Sequence, residues 1–500
     1  MSKTGLDDYL LTHSVEEFLQ LPEMSIEEAF SPEEIEKFEA IRQNQKDAQS
    51  VPSIGAIRCT DMGNGERLAL REKGNLAWTH DVGWRYWDGS RWKVDIENKE
   101  VGRRASACIR KIGIEAARER DEDRRKALFS WAIKSESTPR KKAMITEAED
   151  IFSKDFPIEI WDKNHSLLNL NNGTLNMDTG EFYQHRPDDH ITKIANVIYD
   201  PSAKCPLWSE QLNKFVPNLE DQQFLQRASG YSLSGNISSH CFFILYGEGG
   251  NGKSTFIDTI FDLMGDYAGK IGVDTIIEQQ TLSTAVESDL ASLHGLRLVL
   301  ASEPNARKKL NTSVMKQMTS EIMRGKWYHQ GRFSFKTTHK LWIETNHKLN
   351  IPDDDDGTWR RLKQLPWIVK IPDSEIIRDF HEKLKTEYSG ILNWMIDGYK
   401  KWQIFNIGES PNTKIEKEKY RHEEDKIYQF LQELYTITGN DEDREPKKQV
   451  YENYSDWCKH NGARPLSSIS LYRRLLKKGN IGEGGSGGTA FFTKITKTIN

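Results

Sequence analysis

A glycine-rich stretch, YGEGGNGKSTF, contains residue types that could hold a phosphate group. Gly247 and Gly252 stand five positions apart, and Lys253 and Ser254 follow directly. Glycines let several backbone N–H groups approach one anion, while a lysine can bind the β- and γ-phosphates and a serine hydroxyl can bind Mg²⁺. The spacing is that of the phosphate loop GxxxxGK[ST]. It predicts binding of ATP and Mg²⁺ by the loop residues Gly247, Gly249, Gly250, Asn251, Gly252, Lys253, Ser254 and Thr255.

The segments on either side supply the elements that this loop needs. CFFILY, before the loop, is a short apolar run typical of a buried parallel strand. STFIDTIFDLMG, after it, places its apolar residues on one helical face, and Gly265 can end the helix. The helix N-terminus would then face the phosphates with its partial positive charge. The alternative is a glycine-rich turn of chance composition, and these flanks argue against it.

Hydrolysis of a nucleotide needs further groups, and three later segments offer them. LRLVLASE reads as a second buried strand that ends at Glu303, whose carboxylate can polarise the attacking water. HKLWIETN reads as a third, ending at Asn346, whose amide can orient that water. DDDDGTWRRL then offers Arg360 and Arg361, either of which could stabilise transition-state charge, from a neighbouring subunit if the protein forms a ring. Singly, such residues are usually solvated strand ends or surface arginines. Their order along the chain is the stronger signal.

Composition excludes several classes of protein. The 500 residues carry a formal net charge of -5, so any nucleic-acid contact must come from local basic patches. The 5 cysteines lie far apart without a CxxC pair, which argues against a zinc finger and a disulfide framework. No apolar run approaches the ~20 residues of a membrane span, and the first residues lack a signal peptide's apolar core. These features predict a cytoplasmic protein with no membrane partner.

Pattern changes along the chain predict six segments. Residues 1–75 form a polar, helical lead-in of unassigned role. Residues 76–206 form a mixed α+β domain that contains a β-hairpin in GWRYWDGSRWKVD and basic helices, whose charges are either a solvated face or a DNA contact. The remainder comprises a helical segment at 207–239, an α/β core with a parallel sheet at 240–405, a linker and helix at 406–425 that includes IGESPNTK, and a C-terminal domain at 426–500.

This ordered set resembles helicase superfamily three within the AAA+ ATPases. More closely, it is similar to the phage and plasmid primase-helicase type that includes the poxvirus primase-helicase. The matching text is YGEGGNGKSTF, LHGLRLVLASE, LWIETNHKLNIP and DGTWRRLKQLPW, with softer matches in NLNNGTLNMDTGEF and FLQRASGYSLSG. The resemblance implies a multidomain α/β fold: a helical N-terminal region, an AAA+ core with a central parallel sheet, and a C-terminal winged-helix-like domain.

The resemblance also implies roles for individual residues. Lys253 and Ser254 match the Walker A pair, Glu303 the Walker B carboxylate, Asn346 sensor one, and Arg360 or Arg361 the arginine finger. Ser254 and Glu303 are therefore the implied metal residues. Many members of the superfamily carry two acids at Walker B, whereas Ser302 precedes Glu303 here, so metal contact would rest on Ser254 and water.

Two further segments match DNA-contacting parts of the family. GKWYHQGRFSFK stands where the family has a pore hairpin, with His329 at the tip and Lys326, Arg332 and Lys336 as basic neighbours; Lys316 matches a basic position just before it. Such a tip would grip phosphates without reading bases. The alternative is an ordinary exposed hairpin. The C-terminal segment has a basic helix and a glycine-rich turn, and it would either contact duplex DNA or serve as a small packing or docking domain; the basic residues are Arg473, Arg474, Lys477 and Lys478.

The predicted function is an ATP-dependent DNA helicase that acts in replication of a phage, plasmid or mobile element. It would form a ring, most simply a hexamer, on single-stranded DNA and forked duplexes, with a separate primase or initiator as a potential partner. The family implies 3′ to 5′ movement. The segment before residue 75 is too short for a primase domain, so we expect no primer synthesis by this chain. The alternative is an ATP-gated origin-binding or loading protein; a nuclease or defence effector is a weaker option, because no nuclease motif is visible.

Overall fold

The computed structural model describes residues 57–80, 82–279, 284–302, 309–326, 332–351, 356–375, 377–477, 480–486 and 488–498. The chain divides into two compact units. The first comprises the described residues up to Tyr86 together with Val94–Pro157, and the second comprises Trp87–Lys93 and the chain from Ile158 onward. Within these described ranges, every helix is too short or too polar to cross a bilayer.

Helices dominate the N-terminal region, as predicted. Its elements are α1 (Asp61–Arg71), β1 (Leu76–Thr79), β2 (Gly83–Trp87), β3 (Trp92–Val94), α2 (Lys99–Arg118), α3 (Glu122–Ser135) and α4 (Thr138–Asp155). The strands form one sheet in the order β1-β2-β3, so the predicted hairpin around Gly89 is present. Leu68 of α1 is buried in the same core as Trp84 and Phe152, although α1 precedes the predicted boundary at residue 75.

The second unit continues with a small sheet and two helices. These elements are β4 (Leu167–Leu170), β5 (Gly173–Asn176), β6 (Phe182–Tyr183), α5 (Pro206–Phe215) and α6 (Leu219–Leu233). The strands are antiparallel neighbours in the order β4-β5-β6. Asn218 caps α6 by accepting hydrogen bonds from the amides of Glu220 (2.9 Å) and Asp221 (3.1 Å), a common way to satisfy the first turn of a helix.

An α/β core follows. In chain order, its elements are β7 (Phe242–Tyr246), α7 (Lys253–Met264), β8 (Ala268–Ile271), α8 (Val273–Ile276), α9 (Thr284–Ser292), β9 (Leu298–Ser302), α10 (Thr312–Met318), β10 (Ile322–Lys326), β11 (Arg332–Lys336), β12 (Lys340–Thr345), α11 (Asp356–Arg361), β13 (Leu362–Pro366), α12 (Phe380–Lys385) and α13 (Tyr388–Phe405). Helix α7 ends where predicted, because Gly265 follows Met264 with a φ of 53°.

Five of these strands form the predicted parallel sheet, in the order β13-β7-β12-β9-β8. Side chains alternate between its faces. Phe243 and Leu245 pack with α6, α7 and α13, whereas Phe242 and Ile244 pack with α9 and α10 on the other face. Burial of each such side chain contributes about 1.5–3 kcal/mol, so both faces hold the strands in one register.

The rest of the chain begins with α14 (Pro411–Glu424), whose Tyr420 belongs to the same core as Phe242 and Ile244. A separate core lies in the remaining part, whose elements are α15 (Lys426–Leu434), β14 (Tyr435–Ile437), β15 (Arg444–Pro446), α16 (Lys447–His460), α17 (Ser468–Lys477), β16 (Gly482–Ser486), β17 (Thr489–Thr493) and β18 (Ile495–Lys497). The segment predicted as a linker is partly fixed, since Ser410 caps α14 and donates a hydrogen bond to buried Asp221. The glycine-rich run contains strand β16, in which Gly484 lies close to the ring of its cross-strand partner Phe491, and it continues to Gly488 in the connection to β17.

Candidate nucleotide-binding site

The phosphate loop joins β7 to α7 in a shape that requires glycine at two positions. Gly252 has a φ of 84°, and a Cβ placed on it would come within 2.7 Å of the Phe215 ring. A Cβ on Gly247 would come within 2.2 Å of the Trp367 carbonyl oxygen. Any larger residue would push the loop away from these neighbours. The two fixed glycines of the motif therefore reflect close packing beneath the loop as well as space for a phosphate.

The segment after β13 holds this loop in place. The Asn251 side-chain amide donates to the Trp367 carbonyl at 2.9 Å, and the Trp367 amide donates to the Tyr246 carbonyl at 2.6 Å. The Ile371 amide donates to the Gly250 carbonyl at 2.9 Å. These bonds leave the top of the loop, residues 248–250, exposed, so that a ligand can reach its backbone.

Lys253, the first residue of α7, is buried beside the loop. Its Nζ donates to the Gly247 carbonyl at 2.6 Å, to Asn251 Oδ1 at 3.0 Å and to Asn346 Oδ1 at 3.1 Å. Burial lowers the pKa of this amine, and the nearby Glu344 carboxylate opposes the shift. Each acceptor is an uncharged oxygen, so phosphate oxygens would be stronger partners for the same amine.

Asn346 reaches Lys253 because of the strand order. Strand β12 lies between β7 and β9, and parallel strands present their carboxyl ends at one edge of a sheet. Asn346 directly follows β12, and the Gly247 amide donates to the neighbouring Thr345 carbonyl at 3.3 Å. The structure thus brings together the loop and the third predicted strand end, two segments that are 93 residues apart in sequence.

Glu344, a residue without a predicted role, also contacts the loop. Ser254 Oγ donates a hydrogen bond to Glu344 Oε1. Glu344 lies within β12, two positions before Asn346, and this bond places its side chain on the face of the sheet that α7 covers. A signal for it was present in LWIETN, where a carboxylate interrupts an otherwise apolar strand. The predicted site residues lay beyond strand ends, whereas Glu344 lies inside one.

Glu303 and the residues up to 308 lie outside the described residues. Strand β9 ends at Ser302, whose Cα is the register partner of Glu344 in β12. Over the described ranges, no group of three or more His, Cys, Asp or Glu side chains could hold a metal ion.

The two candidate finger arginines lie at the amino ends of the parallel strands, whereas the phosphate loop lies at their carboxyl ends. Strand β13 runs parallel to β7 with Leu362 paired to Phe242, so Arg360 and Arg361 precede the strand at its amino end. Five residues of strand separate them from the loop edge, or about 16 Å. Arg361 Nη1 donates to the Gly357 carbonyl of its own helix at 2.8 Å, whereas Arg360 is exposed. At that distance, neither arginine can reach the described phosphate loop of its own chain.

The predicted DNA-contacting hairpin is present as antiparallel strands β10 and β11. Lys326 and Arg332 are register partners at the end where the strands are joined. His329 lies in the joining segment 327–331, outside the described residues. Lys336 pairs with Ile322 at the opposite end of the hairpin, and Lys316 is half-buried on α10. Of the described basic residues, Lys326 and Arg332 therefore stand closest to the predicted tip.

The predicted basic residues of the C-terminal helix lie on α17. Arg473 and Lys477 are exposed, Arg474 is half-buried, and Lys478 lies outside the described residues. Lys477 Nζ is 2.9 Å from a carboxylate oxygen of Asp356, which begins α11. Arg421 of α14 pairs with the other oxygen of that carboxylate. The positive face of α17 is therefore linked in part to the helix that carries Arg360.

Three family profiles match separate parts of the chain. Residues 66–217 match a family described as D5 N terminal like, and residues 422–499 match one described as Poxvirus D5 protein-like. Between them, residues 245–361 match a family of unknown function. The resemblance to the primase-helicase type related to the poxvirus protein is thereby confirmed at both ends of the described chain.

Two curated relatives come from viruses. A protein of Acanthamoeba polyphaga mimivirus provisionally named helicase L207/L206 is 24% identical over 343 residues, which cover 64% of this chain and 36% of that protein. A provisionally named primase, C962R of African swine fever virus, is 24% identical over 360 residues with the same coverage. The chain thus spans about a third of the length of these relatives. Among solved structures, the apo C-terminal region of NrS-1 aligns with a TM-score of 0.41 at 13% identity, over 60% of this chain and 77% of that one.

Proposed function

We propose that this chain, which carries D5-type domains of the viral primase-helicase family, is a DNA helicase driven by ATP hydrolysis. The finer assignment is to superfamily three of the AAA+ ATPases, whose motifs the sequence resembles. The names of the viral relatives support a role in DNA replication. Because those relatives are much longer than this chain, the activity is proposed for the part that the chain represents.

The observation that carries the proposal is the bond between Lys253 Nζ and Asn346 Oδ1, at 3.1 Å. It links a phosphate-binding lysine to a neutral amide on the adjacent strand, at the edge where parallel sheets bind ligands. Lys253 would hold the phosphates, Asn346 would orient the attacking water, and Glu303 would accept its proton.

A magnesium ion fits the oxygen groups at this edge. The Ser254 hydroxyl and the Glu344 carboxylate are hard oxygen donors, the class that Mg²⁺ prefers, and they are already in hydrogen-bond contact. Bound with ATP, the ion would neutralise charge that develops on the phosphates. The protein's part is to hold the nucleotide and to position the water.

The position of the arginines supports assembly of several chains. Arg360 is exposed at the sheet edge opposite its own phosphate loop. An arginine so placed can stabilise a transition state only in the site of another chain. We therefore propose a closed ring, with a hexamer as the expected size, in which Arg360 is the residue that crosses between subunits.

Two surfaces would contact DNA. The β10–β11 hairpin would place Lys326 and Arg332 near the single strand inside the ring. The C-terminal elements α15, α16 and α17, followed by the β16–β17 hairpin, have the order of a winged helix, and α17 carries exposed Arg473 and Lys477. This region would contact duplex DNA. Movement from 3′ to 5′ is the direction that the family implies.

The proposal is tested by ATPase assays with and without single-stranded DNA, together with unwinding of a forked duplex. We expect stimulation by the single strand, unwinding, and loss of both with Lys253→Ala. Lys270→Ala, which alters an exposed lysine on β8, is the matched control. Nucleotide-dependent DNA binding without unwinding would favour the loading protein instead. Equal ATP turnover by the parent and Lys253→Ala would contradict both.

A further inference from the structure

The position of Glu344 is unusual for a carboxylate. Its neighbours in β12, Leu341, Trp342 and Ile343, are all buried apolar residues. Glu344 ends this apolar run at the ligand-binding edge, where it accepts the hydrogen bond from Ser254 Oγ. Ser254 is exposed and belongs to the first turn of α7, so the carboxylate and the hydroxyl are both within reach of a ligand on the loop.

Glu344 is paired with the position at which the second predicted strand lacks an acid. Its Cα partner in β9 is Ser302, the position at which many relatives of this motif would carry a first acid. Register partners in neighbouring parallel strands belong to the same face of the sheet. Strand β12 adjoins β7, which leads into the loop, and β9 lies beyond it. Position 344 therefore stands one strand closer to the loop than position 302.

We propose that Glu344 and Ser254 together form the protein side of the metal site for Mg²⁺ bound with a nucleotide. Glu344 supplies from β12 the acidic oxygen that a serine at position 302 cannot supply from β9. This inference rests on the proposed nucleotide binding and deepens it, because it names the groups that make the binding dependent on a metal. Carboxylate and hydroxyl oxygens are suitable ligands, directly or through water, and phosphate oxygens would complete the coordination.

A purely structural role for Glu344 makes a different prediction. A carboxylate near the first turn of α7 would also stabilise the helix N-terminus and hold the Ser254 side chain. In that case its removal would weaken nucleotide binding to the same extent with and without metal. A metal-site residue affects only the part of the affinity that Mg²⁺ adds.

The test is a fluorescence titration of the full chain with mant-ADP, in excess Mg²⁺ and in EDTA. We expect Glu344→Gln to reduce the Mg²⁺-dependent gain in affinity by about tenfold or more, while affinity in EDTA stays within about twofold of the parent. Asp258→Asn, which removes a carboxylate from α7 instead, is the matched control. Electron paramagnetic resonance of Mn²⁺ with ADP should show weaker Mn²⁺ binding for Glu344→Gln alone.

A second variant separates this role from damage to the fold. Ser302→Asp combined with Glu344→Gln places a carboxylate at the register partner, and we expect it to recover metal-dependent binding in part. Equal loss in Mg²⁺ and EDTA, or no loss in Glu344→Gln, would overturn the metal assignment. Metal-independent binding by the parent would overturn it while leaving nucleotide binding intact. Absence of any mant-ADP binding by the parent would overturn the proposed function as well.

Discussion

A buried lysine lies near backbone carbonyls at each end of strand β12, and the two lysines differ in the partners that they bind. At the amino end, Lys340 is fully buried and its Nζ donates to the Ser234 and Thr338 carbonyls. At the carboxyl end, Lys253 donates to the Gly247 carbonyl and to the side-chain oxygens of Asn251 and Asn346. The first lysine is bound to backbone acceptors, whereas the second also has side-chain acceptors that a ligand can replace.

The surroundings of the amino end strengthen this contrast. Arg297 is also buried there, and its guanidinium donates to the Leu233 and Leu167 carbonyls at 2.6 Å and 2.7 Å. Leu233 is the last residue of α6, so Arg297 and Lys340 satisfy carbonyl groups at and just after a helix C-terminus, where positive charge is favourable. A buried basic group that donates to backbone carbonyls in this way stabilises a fold. A cation beside an exposed loop is available for chemistry.

Lys253→Ala is the change with the largest expected effect. We predict that kcat/KM for ATP falls by about a thousandfold or more, because in the proposed site the amine would contact the phosphates whose charge changes in the transition state. The free energy of unfolding should fall by about 1 kcal/mol, less than for Lys340→Ala, because the oxygens that lose the amine lie beside the exposed part of the loop, where water can reach them. Steady-state ATPase and urea unfolding measure the two quantities. A large loss of stability would erase the contrast with Lys340.

Lys340→Ala should show the opposite pattern. We expect the free energy of unfolding to fall by about 3 kcal/mol, because the Ser234 and Thr338 carbonyls lose a donor and a cavity replaces the side chain. ATP affinity of the folded fraction should stay within about threefold of the parent. Urea unfolding followed by tryptophan fluorescence gives the first value, with Lys270→Ala as the control on the same sheet. An unchanged unfolding midpoint would contradict the structural role.

His339, which precedes Lys340, predicts a pH dependence at the same end. Burial, aided by the Lys340 charge, lowers the pKa of this imidazole to about 3. The unfolded chain binds a proton near pH 6.5 and the folded chain does not, so stability present above that pH is lost as the pH falls. We expect a loss of about 2 kcal/mol between pH 7 and pH 5. His339→Gln should have a shallower slope in the same unfolding series; identical slopes would place the imidazole in solvent.

Asp356→Asn should produce the smallest effect. This exposed carboxylate pairs with Lys477 of α17 and Arg421 of α14 at the surface. Surface ion pairs contribute about 0–1 kcal/mol and weaken with salt, so the unfolding midpoint should move little and the shift should vanish at high ionic strength. Urea unfolding at two salt concentrations measures this. A loss comparable to that of Lys340→Ala would mean that charge matters as much at the surface as in the interior.

Much of the candidate site could be predicted from short stretches of sequence. The glycine spacing predicted a phosphate loop, and the apolar runs predicted the strands that end at Ser302 and near Asn346; the sheet has those strands, in parallel. These features are local, since an apolar run of strand length and a glycine that allows a positive φ depend on few distant residues. Gly265, for the same reason, ends α7 where expected.

Other features could not be predicted from the sequence, because they depend on strand order and register. Nothing in the linear pattern states that β12 lies between β7 and β9, and that order alone brings Glu344 to Ser254. The pairing of β13 with β7 likewise sets Arg360 about 16 Å from its own loop. The glycine-rich run in β16 has the composition of a turn, yet it pairs as a strand with β17, and the ring that lies against Gly484 is that of Phe491 on this neighbouring strand.

Local chemistry was therefore readable in the order of the residues: which groups could bind phosphate, which runs would be buried, and where a helix would end. Long-range packing settled which of those groups meet. A five-stranded sheet can be ordered in many ways from the same strands, and the burial of alternate side chains on its two faces selects one order and one register. That selection gave Lys253 side-chain acceptors beside the phosphate loop and gave Lys340 backbone acceptors in the interior.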